Sequence, residues 1–265
     1  MRARIDFNCD LGEGLDAWEP GVPGPESALL DAVTSANVAC GFHAGDERVM
    51  AAVCRAAAER DVAVGAQVSY RDREGFGRRF LDVPADVLRA DVTEQLVTLG
   101  RVAREAGTRV AYVKPHGALY NAVVHHEEQA RALVDAVAAW VGGAGTSVDD
   151  APFPLVGLPG AVSLALAHER GLRTVAEAFA DRGYGPDGTL VPRTQDGALV
   201  VDPEAVVARV LTMVRDRQVV AVDGTVVPVD AESVCVHSDT PGATVLAAAV
   251  RRALDDADVH VRPFV

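Results

Sequence analysis

The chain has 265 residues, 49% of them hydrophobic, enough for a sizeable buried core and too apolar for a disordered segment. Against 25 basic residues stand 38 acidic ones, a net charge of −13, which argues against nucleic acid or an anionic membrane surface as a partner, because both ask for a basic face. Four cysteines without a Cys-x-x-Cys pair, no apolar leader in MRARIDFNCD and no uncharged apolar run of about 18 residues lead us to expect a cytoplasmic protein with neither a disulfide framework nor a membrane span.

Short β-branched runs alternate with longer Ala-rich runs of helical period. Arg4–Asn8 reads as the first strand, followed by a proline-bearing loop over Asp16–Pro25. After a second strand at Ser35–Cys40, Asp46 stands where a helix cap belongs, and Val49, Met50, Val53, Cys54 and Ala57 recur on one face through Glu59. The third strand is Ala63–Gln67. Asp82 and Pro84 then open a long helix with Val87, Leu88, Leu96, Leu99 and Ala103 on its apolar stripe and Gly107 at its end. Next come a strand at Val110–Lys114, a helix over Glu127–Val141, a glycine-rich loop over Gly142–Pro154, a strand at Pro154–Leu158, a helix over Ala161–Arg170 and a strand at Arg173–Ala176. The remaining elements are helices at Pro203–Arg215 and Gly242–Asp255, behind Pro203 and Pro241, and strands at Val219–Val222 and Ser233–His237. Seven or eight strands alternating with helices in a single domain over residues 1–265 predict a distorted, TIM-like (β/α) barrel, with an open doubly wound sheet as the alternative.

Polar residues gather where strands end. Asn8, Asp10 and Glu13 follow the first strand, His43 and Asp46 the second, Lys114 and His116 the fourth, Glu177 and Arg182 the sixth, and His237 and Asp239 the last. In a parallel α/β fold these ends share one face, where sites are built. The loops on the other face carry little beyond charge and turn residues. Asp6, Asn8 and Asp10 alternate, so they point to one side of an extended segment. Lys114 is the single lysine among 25 basic residues and stands at a strand end. Simpler readings exist for each piece: a solvated turn for Asn8–Glu13, helix capping for Asp46, compositional bias towards arginine for Lys114. Three histidines with Asp10 or Asp46 would suit a metal, yet no ligand signature such as HExxH is present. A P-loop, a Rossmann glycine motif and a GxSxG elbow are also missing.

Six segments in order, DFNCDLGEG, SANVACGFHAGD, GFGRR, VKPHGALYN, EAFADRGYGPDGTLVPR and CVHSD, resemble the LamB/YcsF family from Ile5 to about Asp239. The resemblance implies a barrel related to polysaccharide deacetylases. It also implies opening of the 5-oxo-L-proline lactam to L-glutamate, coupled to cleavage of ATP to ADP and phosphate, in company with subunits B and C of a 5-oxoprolinase. Mg²⁺ is expected with the nucleotide, and no tightly bound metal. Carried over position by position, Asp10, Glu13, His43, Asp46, Lys114 and His116 become the catalytic candidates. Asn8, Asn37, Arg78, Asn121, Glu177, Arg182, Arg193, His237 and Asp239 become candidates for binding substrate or nucleotide. One departure is Gln67-Val68, in GAQVSY, where many members carry His-Pro. Two further readings stay open: a metal-dependent amide or ester hydrolase of the deacetylase type, active alone, and a noncatalytic substrate-carrying subunit.

Overall fold

The chain, seen in a computed structural model that describes residues 3–19, 22–144 and 151–265, closes seven parallel strands into a barrel. These are β1 (Arg4–Leu11), β2 (Ser35–Ala39), β3 (Ala63–Val68), β4 (Val110–Pro115), β5 (Pro154–Gly157), β6 (Arg173–Phe179) and, after two further short strands, β9 (Ser233–Val236). They pair in chain order, and β9 lies between β6 and β1, which completes the ring. Alternation on β1 divides its residues. Phe7, Cys9 and Leu11 join the helix-packed hydrophobic core, while Asp6, Asn8 and Asp10 meet polar partners from other strands.

Outside the ring lie α1 (Pro25–Leu29), α2 (Glu47–Ala58), α3 (Ala85–Glu105), α4 (Gly117–Ala122), α5 (Glu127–Ala144), α6 (Val162–Glu169), α7 (Pro203–Asp216) and α8 (Ala243–Asp256). Packing runs from α2 to α3, α5 and α6, and α7 rests on α8. Met50, Val53, Cys54 and Ala57 form the buried stripe of α2, as their spacing predicts. A two-residue strand, β10 (His260–Val261), pairs with the start of β1 and is too short to show any periodicity in sequence. Below the polar barrel interior, Tyr112, Val156, Val175 and Phe264 form a separate apolar plug. Tyr112 crosses the barrel because Gly65 faces it: a Cβ there would stand 2.1 Å from the ring.

The expected strand at Val219–Val222 is not a barrel strand. Its core becomes β7 (Gln218–Val220), paired antiparallel with β8 (Val226–Pro228) in a ribbon outside the ring. Val219 and Ala221 are buried and Val220 and Val222 exposed, the one-sided pattern of a strand covered on a single face. Pro241 precedes its helix rather than entering it, since Gly242 (φ 77°) takes the cap position of α8. Pro84 occupies the cap of α3, which starts at Ala85 without a side-chain cap from Asp82. Of the expected loop at Gly142–Pro154, positions 145–150 lie outside the described residues. Among the described residues no helix is long and apolar enough to cross a membrane.

Candidate active site

The carboxyl ends of the strands open into a cavity of about 670 Å³, lined by Asp10, Arg78, Lys114, His116, Tyr120, Asn121, Phe179, Arg182, Arg193 and His237, with residues 187–194 along one side. That side belongs to the excursion between β6 and α7, which folds back on itself through bridges Arg182–Leu199 and Tyr184–Leu190.

Strand register builds the floor. Asn8 stands opposite Ser35 on β2 and Cys235 on β9, Asp10 opposite Asn37, and Gln67 opposite Lys114. Lys114 is 3% exposed, with its Nζ 2.9 Å from Glu177 Oε1, 3.3 Å from Asp10 Oδ1, 3.3 Å from Asn8 Oδ1 and 3.2 Å from Cys235 Sγ. The ammonium also lies over the Phe179 ring, 5.3 Å from its centroid. Burial disfavours this charge, but Asp10, Cys235 and Glu177 outweigh it and hold Lys114 well above the usual lysine range. Burial lifts the Glu177 carboxyl, opposed by Lys114 and Asn8, and its Oε2 has no hydrogen-bond partner among the described residues. Beneath, Asn37 donates to Asn8 (2.7 Å) and Asp10 (2.8 Å) and accepts from the Tyr112 hydroxyl (2.7 Å).

A second cluster stands beside the cavity. Glu13 Oε1 lies 3.3 Å from His43 Nε2, 3.2 Å from His116 Nδ1 and 3.0 Å from Gln67 Nε2. Both rings have their far nitrogens committed. Ser69 donates its hydroxyl to the Tyr70 carbonyl and so accepts from His43 Nδ1 (3.0 Å), and His116 Nε2 donates to the Phe76 carbonyl (2.9 Å). Burial, then His43, pushes His116 well below the usual histidine range. Burial acts to raise Glu13, but the hydrogen bond and charge of His43 bring it below the usual glutamate range. The two rings stack at 3.8 Å between centroids and 10° between planes, under the edge of Phe76. One metal ion cannot lie in the plane of both rings, although the donor atoms of Glu13, His43 and His116 fall within 4.8 Å of one another. A second such set, Asp10, Cys235 and His237, already has the Lys114 ammonium against two of its members.

A third cluster forms where β6 meets β9. Asp181 accepts from His237 Nδ1 (3.0 Å), from the His237 backbone N–H (3.1 Å) and from the Thr240 hydroxyl. Burial works to raise its carboxyl, yet His237 and Thr240 bring it down to about 2. Asp239 ties Arg78 (2.5 Å) to Arg193 (3.4 Å) at the rim.

Several expected site residues take other places. Asp46 is exposed and accepts from Val49 N–H (2.8 Å) as the cap of α2, so the structure corrects its catalytic assignment: the helix start holds its carboxylate away from the cavity. Asn37 lies under the floor with both ends of its amide engaged, not on the cavity wall. Asn121 is at the rim and donates to the Gly117 carbonyl (3.1 Å). Arg182 commits two donors to the carbonyls of Ala198 (3.1 Å) and Val191 (2.7 Å), so it braces the excursion. Glu13 and His43 sit behind the wall, His116 within it. Sequence reasoning gave no role to Asp181, Ser69 or Thr240, and took Gln67 only as a departure from pattern. The signal for Asp181 was its register: counting on from the pair Glu177–Ser233 sets it opposite His237.

The LamB/YcsF family model matches residues 5–265. The chain is 51% identical over 260 residues to a protein of Cutibacterium acnes (98% of each chain) and 53% identical over 262 residues to one of Mycobacterium avium (99% of each), both named as the first, or A, component of 5-oxoprolinase. Its structure is similar to that of a lactam utilization protein from Thermus thermophilus, with TM-score 0.86, 39% identity and coverage of 98% of this chain and 100% of that one. A match that runs along nearly the whole chain makes this protein a member of the LamB/YcsF family.

Proposed function

We propose that the chain is the lactam-opening component of an ATP-dependent 5-oxoprolinase, binding 5-oxo-L-proline and acting with subunits B and C while ATP is cleaved to ADP and phosphate. The observation that carries this reading is the cavity itself: arginines at the rim, one buried ammonium on the floor and carboxylates below. 5-Oxoproline has a carboxylate and a cyclic amide, and each needs such a partner. The paired arginines Arg78 and Arg193, now sharing Asp239, offer a fork to the substrate carboxylate. Lys114, immobilised by its buried partners, stabilises negative charge developing on the lactam oxygen or on a phosphoryl group. An unstrained lactam is a poor electrophile, and ATP supplies a phosphoryl group that turns its oxygen into part of a leaving group. Asp10 and Asp187 are the wall carboxylates open to a nucleotide-bound Mg²⁺. The names carried by relatives at about half identity support the same reading.

Reconstitution tests it. With subunits B and C, 5-oxoproline and ATP, glutamate release should require all four components, and Arg78→Ala or Arg193→Ala should raise KM for 5-oxoproline more than it lowers kcat. Glutamate release by the chain alone, without nucleotide, would refute the proposal in favour of a self-sufficient hydrolase.

A further inference from the structure

Three buried histidines stand near the cavity, and their nitrogen partners sort them. His43 has both nitrogens engaged, by Ser69 and Glu13, and lies behind the wall. His116 reaches the wall, but its nitrogens face the Phe76 carbonyl and the Gln67 amide (3.0 Å), and burial keeps its ring neutral. His237 differs. Its Nδ1 meets a carboxylate that already accepts two other hydrogen bonds, from its own N–H and from Thr240. An acceptor so placed requires the proton on Nδ1. That leaves the Nε2 lone pair with no partner among the described residues, on a ring that lines the cavity and stacks on Phe179 (5.2 Å, 13°).

We infer that His237, rather than His43 or His116, is the proton acceptor that activates water in this cavity, and that Asp181 is the positioning residue that fixes its tautomer. The inference rests on the lactam-opening reading. It also reverses the roles expected from sequence, where His43 and His116 were the catalytic candidates and His237 a binding residue. Nε2 takes a proton from water as the water oxygen bonds to the lactam carbonyl carbon, whose π pair moves to its oxygen. The same proton then passes to the ring nitrogen as the C–N bond breaks and that pair returns, so water is added across the amide and the histidine ends neutral. Other charges bear on the ring. Asp10 on β1 is one of the groups within 4.8 Å, Asp239 lies on the same loop and is held by Arg193, and Lys114 on β4 is on the other side of Phe179.

The complex reconstituted with both partner subunits provides the test. His237→Gln and Asp181→Asn should each lower kcat by about 100-fold or more while KM for 5-oxoproline moves less than about 3-fold. Added imidazole should restore turnover to His237→Ala and not to Asp181→Asn. ¹⁵N NMR of the native chain should show the proton of neutral His237 on Nδ1, with Asp181→Asn altering that preference; this reading needs no active variant. A native Nε2–H tautomer, or a His237→Gln complex within about 10-fold of native kcat, would overturn the assignment. If the native complex releases glutamate and these variants keep pace, only the assignment of the base falls. If the native complex releases none, the lactam reading falls first.

Discussion

Replacing Lys114 by methionine keeps the length of the side chain and removes the only buried ammonium on the cavity floor. At an effective dielectric of about 20, partners 2.9 and 3.3 Å away each contribute about 5–6 kcal/mol of Coulomb energy. Desolvating the ammonium and the two carboxylates takes back several kcal/mol per ion, so breaking the cluster should cost about 3–5 kcal/mol of unfolding free energy at pH 7. The cost should also depend on pH. Without Lys114, burial acts on Glu177 with less opposition and lifts its carboxyl further. A carboxyl whose folded pKa lies above its unfolded value binds more protons when folded, so the variant should gain stability as pH falls from 7 to 5. Native protein has the opposite signature at the other end of the scale: Lys114, raised well above 10.5, contributes stability that is lost only as pH climbs past that value. Urea unfolding of both proteins at pH 7 and pH 5 measures the effect, and Glu177→Gln added to Lys114→Met should recover part of it. A loss under about 1 kcal/mol, or a gap between the two proteins that does not narrow at pH 5, would refute the reasoning.

Asp6 provides a second pH test. Burial pushes its carboxyl up to about 6 against the hydroxyls of Ser233, Ser35 and Thr34, while the unfolded value is about 3.9. Its ionisation should therefore take about 3 kcal/mol from the folded state as pH rises from 4 to 7, and Asp6→Asn should flatten that part of the urea-unfolding profile; equal slopes would count against it. Gly117, at φ 57°, abuts the loop that bears Arg78: a Cβ would come 2.5 Å from the Gly77 carbonyl oxygen. Gly117→Ala should cost more than about 1–2 kcal/mol, the left-handed penalty alone, and should weaken 5-oxoproline binding in calorimetry. An unchanged melting temperature would show that the two segments do not press on each other.

Much of the architecture was legible because its signals are local. Apolar runs bounded by turns marked the barrel strands, and the spacing of Met50, Val53 and Ala57 marked α2. Alternation told that Asp6, Asn8 and Asp10 share a side. What the side chains do there was less legible, because it depends on register between strands far apart in sequence. Glu13, His43, Gln67 and His116 come from the ends of four neighbouring strands, and nothing within one strand pairs them. The run at Val219–Val222 misled for the converse reason: its β-branched residues suit any sheet, and only its one-sided burial separates a surface ribbon from a barrel stave. Asp46 had two legitimate jobs in prospect, and the backbone of α2 claimed it.

The vacancy in the ring has a use. Where an eighth stave would run, the polypeptide wanders outside, and β6 and β9 become immediate neighbours. Adjacent strands lie about 4.8 Å apart, whereas an intervening one would double that spacing, beyond hydrogen-bond reach for an aspartate and an imidazole. Omitting one strand thus brings Asp181 and His237 together, and frees the detoured stretch to form a wall of the chamber they serve.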